Sequence, residues 1–134
     1  MKLALLTPAA KRQLRRERLL DSRSTALALR EAFPAVQQLR VDLLFHSPDS
    51  ASPAAQAHTL HAAARAFFEY PCPYADCDGQ FDLDSAVKAA LADPTHRASG
   101  ALGCTGNRAV RVGESEACRL HLDYTVTASL QAGK

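Results

Sequence analysis

Four cysteines constrain this chain more than any other feature. Cys72 and Cys77 form a C-x4-C pair, Cys104 and Cys118 form a C-x13-C pair, and 26 residues separate the two pairs. Two of the four sit in near-identical contexts, Cys77-Asp78-Gly79 and Cys104-Thr105-Gly106. A metal-binding turn must present its sulfur outward while backbone N–H groups point back at it. Cys-x-Gly does this, with glycine expected to take the positive φ that carries the chain beneath the sulfur. Cys72 is close enough in sequence to Cys77 to share one ion. Cys118 lies two residues before Leu120, in phase with the apolar face of the last strand, so it is expected to point inward from a hairpin partner of Cys104. The set Cys72, Cys77, Cys104 and Cys118 therefore reads as one tetrahedral four-thiolate site for a single structural Zn2+. Free buried thiols, disulfides and an iron–sulfur cluster are the competing readings.

Histidine offers a rival fourth ligand. Cys118-x2-His121 has a workable spacing, but positions three apart on a regular strand face opposite sides. His121 falls on the polar face with Arg119 and Asp123, which favours Cys118. His96 sits in a loop, and His46, His58 and His61 have no ligand spacing to any cysteine.

Charge is unevenly spread. Residues 1–23 hold seven basic residues (Lys2, Lys11, Arg12, Arg15, Arg16, Arg18, Arg23) against Glu17 and Asp21, a balance of +5; the remainder holds nine basic and twelve acidic residues, a balance of −3. Lys11, Arg12, Arg15, Arg16, Arg18 and Arg23 are the candidate contacts to an anionic partner, the phosphate backbone of RNA or DNA or an acidic protein. The alternative is a solvated helix face that is simply rich in arginine. The apolar start Met1–Leu6 ends at Thr7-Pro8 and runs into Lys11-Arg12. It is shorter than the roughly 7–15 residues of a signal core, and no run approaches the roughly 20 residues of a membrane span. A cytoplasmic protein with no membrane role is expected, with thiols reduced or metal-bound.

Hydrophobic periodicity sets the expected elements. Thr7 can cap a helix whose first position is Pro8, running over 8–20 with Leu6, Ala10 and Leu14 on one narrow stripe. Asp21-Ser22 offers a second cap for a helix over 24–33, stopped by Pro34. Alternation from Leu39 to Phe45 predicts a strand over 36–46, followed by a loop over 47–53. Residues 54–70 are expected as a strand returning along 36–46 and then a second leading into the first cysteine pair. A short helix is expected at 84–92 with Asp82 or Asp84 as cap, strands at 98–104 and 108–112, and a turn at 113–116. The strict alternation of Leu120, Leu122, Tyr124, Val126, Ala128 and Leu130 with polar residues predicts a last strand with one buried face.

On the two Cys-x-Gly turns and the hairpin ligand, residues 70–122 resemble the zinc-ribbon or treble-clef class of zinc fingers. They depart from its commonest pattern, in which both pairs are C-x2-C, so that Cys118 would ligate from a strand. The resemblance implies a structural metal site, and members of that class often bind nucleic acid or other proteins. The expected fold is α+β in one domain: a basic helical arm over 1–34 and, over 36–134, a small antiparallel sheet with one short helix, stapled by the 72–118 metal region.

Three functions fit. The first is a non-enzymatic zinc protein binding nucleic acid, or a ribonucleoprotein, through its basic helix. The second is a protein-interaction adaptor. The third is an enzyme using the acidic cluster Asp76, Asp78, Asp82 and Asp84. Four thiolates leave no open position for substrate water, and neither a nucleophile–base pair nor a nucleotide-binding glycine loop is present. A non-enzyme is therefore expected.

Overall fold

The computed structural model describes residues 8–48, 52–74, 77–111 and 114–130, with the side chains at 8, 9, 11, 12, 109–111, 114 and 115 left aside. Thr7, Asp76 and Gly113, and the Leu6 end of the predicted helical stripe, lie outside the described residues. The architecture is α+β, with a helix near the N-terminus and a small antiparallel sheet carrying a cysteine cluster.

The main sheet follows from two long alternating strands. Strand β1 (Val36–His46) buries Val36, Leu39, Val41, Leu43 and Phe45. The last strand of the chain, β8 (His121–Leu130), lies antiparallel to it and sets Ala128, Val126, Tyr124 and Leu122 opposite Leu39, Val41, Leu43 and Phe45. Cross-strand apolar pairs on one face are what hold such a register, because a slip of one residue would turn every one of them to solvent. Strand β2 (Ala54–His61) flanks β1 and strand β5 (Arg97–Gly103) flanks β8, giving the order β2-β1-β8-β5.

Two small hairpins complete the sheets. One joins β3 (Glu69–Pro71) to β4 (Gln80–Asp82), and the other joins β6 (Asn107–Arg111) to β7 (Glu114–Ala117). Helix α3 (Asp84–Ala92) buries Ala86, Val87 and Ala90 on one stripe. Asp82 Oδ1 accepts the Asp84 N–H at 2.9 Å, and the Asp84–Lys88 ion pair spans one turn at 2.9 Å. The apolar face of the main sheet meets Phe68, Tyr70, Phe81, Leu83 and α3, with Phe45 and Phe81 rings 5.7 Å apart. The opposite face is polar. His46 Nε2 meets Asp123 Oδ2 at 2.7 Å, His46 stacks on His121 at 4.7 Å, and Arg40 pairs with Asp42 at 3.0 Å.

Three expectations are corrected. First, helix α1 runs unbroken over Pro8–Thr25, past Asp21-Ser22, because Ser24 and Thr25 hydroxyls bond back to carbonyls of the preceding turn instead of opening a new helix. The predicted 24–33 helix shrinks to α2 (Leu29–Ala32), since the segment over 62–64 takes its first N–H groups: Leu29 N donates to Ala64 O at 2.7 Å and Arg30 N to Ala62 O at 2.9 Å. Second, Glu114–Glu116 is strand rather than turn, paired so that Arg108 stands opposite Glu116. Third, the docked face of α1 is not the Ala10–Leu14 stripe. Leu19 is the buried leucine of this helix, while Leu14 is 41% exposed. Among the described residues no helix is long and apolar enough to cross a membrane.

This packing generates a graded expectation for stability. Leu122→Ala should cost about 2–5 kcal/mol, because Leu122 is fully buried in the core. Leu14→Ala should change stability by no more than about 0.5 kcal/mol. Equilibrium urea unfolding of the two variants against the parent chain checks both, and a costly Leu14→Ala would mean that the stripe is docked after all.

Candidate metal centre

All four cysteines converge. Cys72, Cys77 and Cys118 are buried, Cys104 is half-buried, and their four sulfurs lie within 4.8 Å of one another. Cys77 and Cys104 Sγ are 3.6 Å apart, and Cys72 and Cys118 Sγ are 4.0 Å apart. A tetrahedral ion bound at about 2.3 Å sets its sulfurs about 3.8 Å apart, so the arrangement fits a metal ion.

The local geometry explains why these turns form. Cys72 leaves the end of β3, and its N–H donates to Gly79 O at 2.9 Å, which closes the β3–β4 hairpin around the sulfurs. In each Cys-x-Gly turn the glycine N–H donates to the cysteine sulfur, Gly79 N to Cys77 Sγ at 3.3 Å and Gly106 N to Cys104 Sγ at 3.5 Å. Such N–H···S bonds favour the thiolate over the thiol. The two turns press against each other. Asp78 N donates to Asn107 O at 3.2 Å, Asp78 Oδ1 accepts the Asn107 N–H at 2.7 Å, and Cys77 bridges to Arg108.

Glycine is required here for a different reason from the expected one. Neither Gly79 nor Gly106 takes a positive φ. A Cβ on Gly106 would land in the Gly79 backbone, and one on Gly79 would lie 3.0 Å from Gly106 N and closer still to the Cys104 sulfur. The close approach of two backbones, and not a left-handed turn, excludes any side chain.

Cys118 also departs from expectation. It lies in the link over 118–120 rather than on a strand. Its N–H donates to Gly106 O at 3.0 Å while Cys104 N donates to Leu120 O at 2.9 Å, so the link is tied directly to the second turn. His121 is exposed on the polar face, stacked on His46 and away from the sulfurs.

Four close thiols interact strongly. A hydrogen bond from the Cys72 thiol, against the effect of burial, pulls Cys104 down to about 5. Burial pushes Cys77 up to about 12. Cys72 is held protonated by its bond to Cys104 and then by burial, and burial likewise raises Cys118. A metal ion removes this competition by accepting all four as thiolates.

The predicted basic residues separate. Arg15 turns onto the cysteine centre, where its Nη2 donates to Cys77 O at 3.3 Å and its Nε is buried without a hydrogen-bond partner. Burial lowers its pKa, opposed by Asp78 and the cysteines beside it. Arg16, Arg18 and Arg23 are exposed, and Lys11 and Arg12 lie on the described backbone of α1. Nothing in the spacing of the basic run distinguished Arg15 from its neighbours. The acidic residues also disperse into local roles: Asp78 joins the two turns, while Asp82 and Asp84 serve α3.

Comparison with family models, with curated proteins and with solved structures finds no match in any of the three.

Two outcomes follow. Gly106→Ala should abolish stoichiometric metal binding measured by plasma mass spectrometry, while Thr105→Ala, on an exposed residue of the same turn, should retain it. A full equivalent of metal in Gly106→Ala would show that the close turn contact is dispensable. Arg15→Gln should loosen α1 without emptying the site. Limited trypsin digestion should then cut α1 several-fold faster than in the parent chain, and unchanged cleavage would show that Arg15 does not hold the helix.

Proposed function

We propose that this chain is a small, non-enzymatic zinc protein of the cytoplasm that binds the phosphate backbone of RNA or DNA through its basic N-terminal helix. The observation that carries the metal part is the sulfur cluster, with opposed pairs at 3.6 and 4.0 Å and paired Cys-x-Gly turns around it. Zinc suits four thiolates in tetrahedral array, and a closed set of four protein ligands serves structure and not catalysis. The local likeness to zinc-ribbon or treble-clef fingers supports the same reading. Reduced thiols agree with a reducing compartment.

Arg16, Arg18 and Arg23 supply the positive surface. They are exposed and make no ion pair with a carboxylate among the described residues. Arg15 is assigned to the cysteine centre instead of to phosphate. Contacts of this kind position a nucleic acid without reading its sequence. The second reading, a protein-interaction adaptor, draws on the leucines beside the arginines: Leu20 is 64% and Leu27 58% exposed.

One paired experiment tests the proposal. Metal content of untagged protein should be one zinc per chain and should be lost in Cys104→Ser together with cooperative unfolding. Binding of a labelled oligonucleotide should weaken steeply with salt, and replacing both Arg16 and Arg18 with glutamine should flatten the log–log slope by about 1–2. Well-folded protein without metal would overturn the zinc assignment. Binding that is insensitive to salt and to those arginines, or that is seen only with protein partners, would favour the adaptor.

A further inference from the structure

We propose that the cleft between the last turn of α1, strand β2 and the segment over 62–70 is a nucleotide-phosphate site, with Arg23, His58, Arg65 and Tyr70 as its polar wall. The proposal rests on the nucleic-acid reading above and names where on the surface a phosphate is held.

Three observations carry it. The cleft offers about 380 Å³, within the range of sites that accept a nucleotide-sized ligand. Its lining combines two arginines and a histidine with no carboxylate among the described residues, an unbalanced positive wall in a chain whose net charge is only +2. Its cations are also fixed. Arg23 lies over the Phe67 ring at 5.4 Å, and Arg65 Nη1 donates to Ala26 O at 2.9 Å, which leaves the rest of its guanidinium fork for a ligand.

The field of Arg23 reaches into the cleft. His58, whose ring lies 4.6 Å from that of Tyr70, is driven toward its neutral form by burial and then by Arg23. Burial holds Tyr70 as a phenol, pushed up to about 12, so it keeps a proton to donate. The same lining includes the apolar side chains Leu60, Ala64 and Phe67, which suit a base or ribose next to the phosphate. Arg23 also shares a neighbouring groove with Arg16, Leu20, Pro71 and one carboxylate, Glu69, so a strand leaving the cleft along α1 meets two arginines and a single opposing charge.

The test uses the full chain. Fluorescence anisotropy with a labelled single-stranded oligonucleotide compares the parent with Arg23→Gln, Tyr70→Phe and Arg30→Gln, the last removing an equal charge from an exposed arginine outside the cleft. In parallel, adenosine monophosphate and inorganic phosphate are titrated while the His58 ring resonances are followed by NMR. The expected result is about tenfold weaker oligonucleotide binding for Arg23→Gln, a change below about twofold for Arg30→Gln, and a saturable His58 shift with both small ligands. Tyr70→Phe should fall between the two. Equal losses for Arg23→Gln and Arg30→Gln, with no His58 shift, would overturn the cleft and leave the phosphate-binding helix standing. A His58 shift without any oligonucleotide binding would overturn the nucleic-acid reading and keep the cleft as a site for free nucleotides. Neither response would remove both.

Discussion

Four sulfurs within 4.8 Å of one another govern most of what lies around them. Two thiolates about 4 Å apart repel by about 4 kcal/mol at an effective dielectric of 20. Without a cation, therefore, the set cannot ionise together, and hydrogen bonding drives the charge toward Cys104 while its neighbours stay protonated. The groups that create this conflict are also the groups that organise the chain. Cys72 and Cys77 close the β3–β4 hairpin, Cys104 directly follows β5, and Cys118 leads into β8. Three separate stretches of sequence meet at one point, and both small hairpins take their position from it. An ion there would exchange mutual repulsion for four metal–sulfur bonds, and much of the folding free energy of this end of the protein would depend on it.

The contact of the two Cys-x-Gly turns is the steric side of the same constraint. Each glycine N–H supports its own sulfur while its Cα faces the other turn, so the pair behaves as one unit held by Asp78 and Asn107. Helix α1 docks on that unit with little apolar area. Leu19 is its buried leucine, and Arg15 provides the polar half of the contact beside Cys77 and Asp78. A guanidinium with a buried, unpartnered Nε is costly in a neutral setting and far less so beside accumulated negative charge.

Several of these features were legible in the sequence because period and spacing report them directly. The alternation in 36–46 and 120–130 is enforced by a sheet with one buried face, and the cysteine set stands out by repetition of Cys-x-Gly. The features that could not be read are set by contacts between distant segments. The helix over 24–33 fails because the backbone at 62–64 claims the first N–H groups of α2, and no local propensity reports a partner more than thirty residues away. Glu114–Glu116 looks like a turn by composition but is held in a strand by its pairing with β6. The requirement for Gly79 and Gly106 was visible, but its cause was not, since a positive φ and a close backbone approach leave the same letter in a sequence.

Arg15 and Arg23 lie on one helix, eight residues and therefore about 12 Å apart along its axis. The first faces the cysteine centre and the second borders the cationic cleft. Where the helix sits at one end limits where it sits at the other, because a rigid element carries displacement along its length. A divalent ion held by four thiolates would leave two net negative charges close to Arg15, whose guanidinium already donates to Cys77 O. Arg15 and Arg23 thus tie two separate surfaces, the cysteine centre and the cleft beside β2, to one helix.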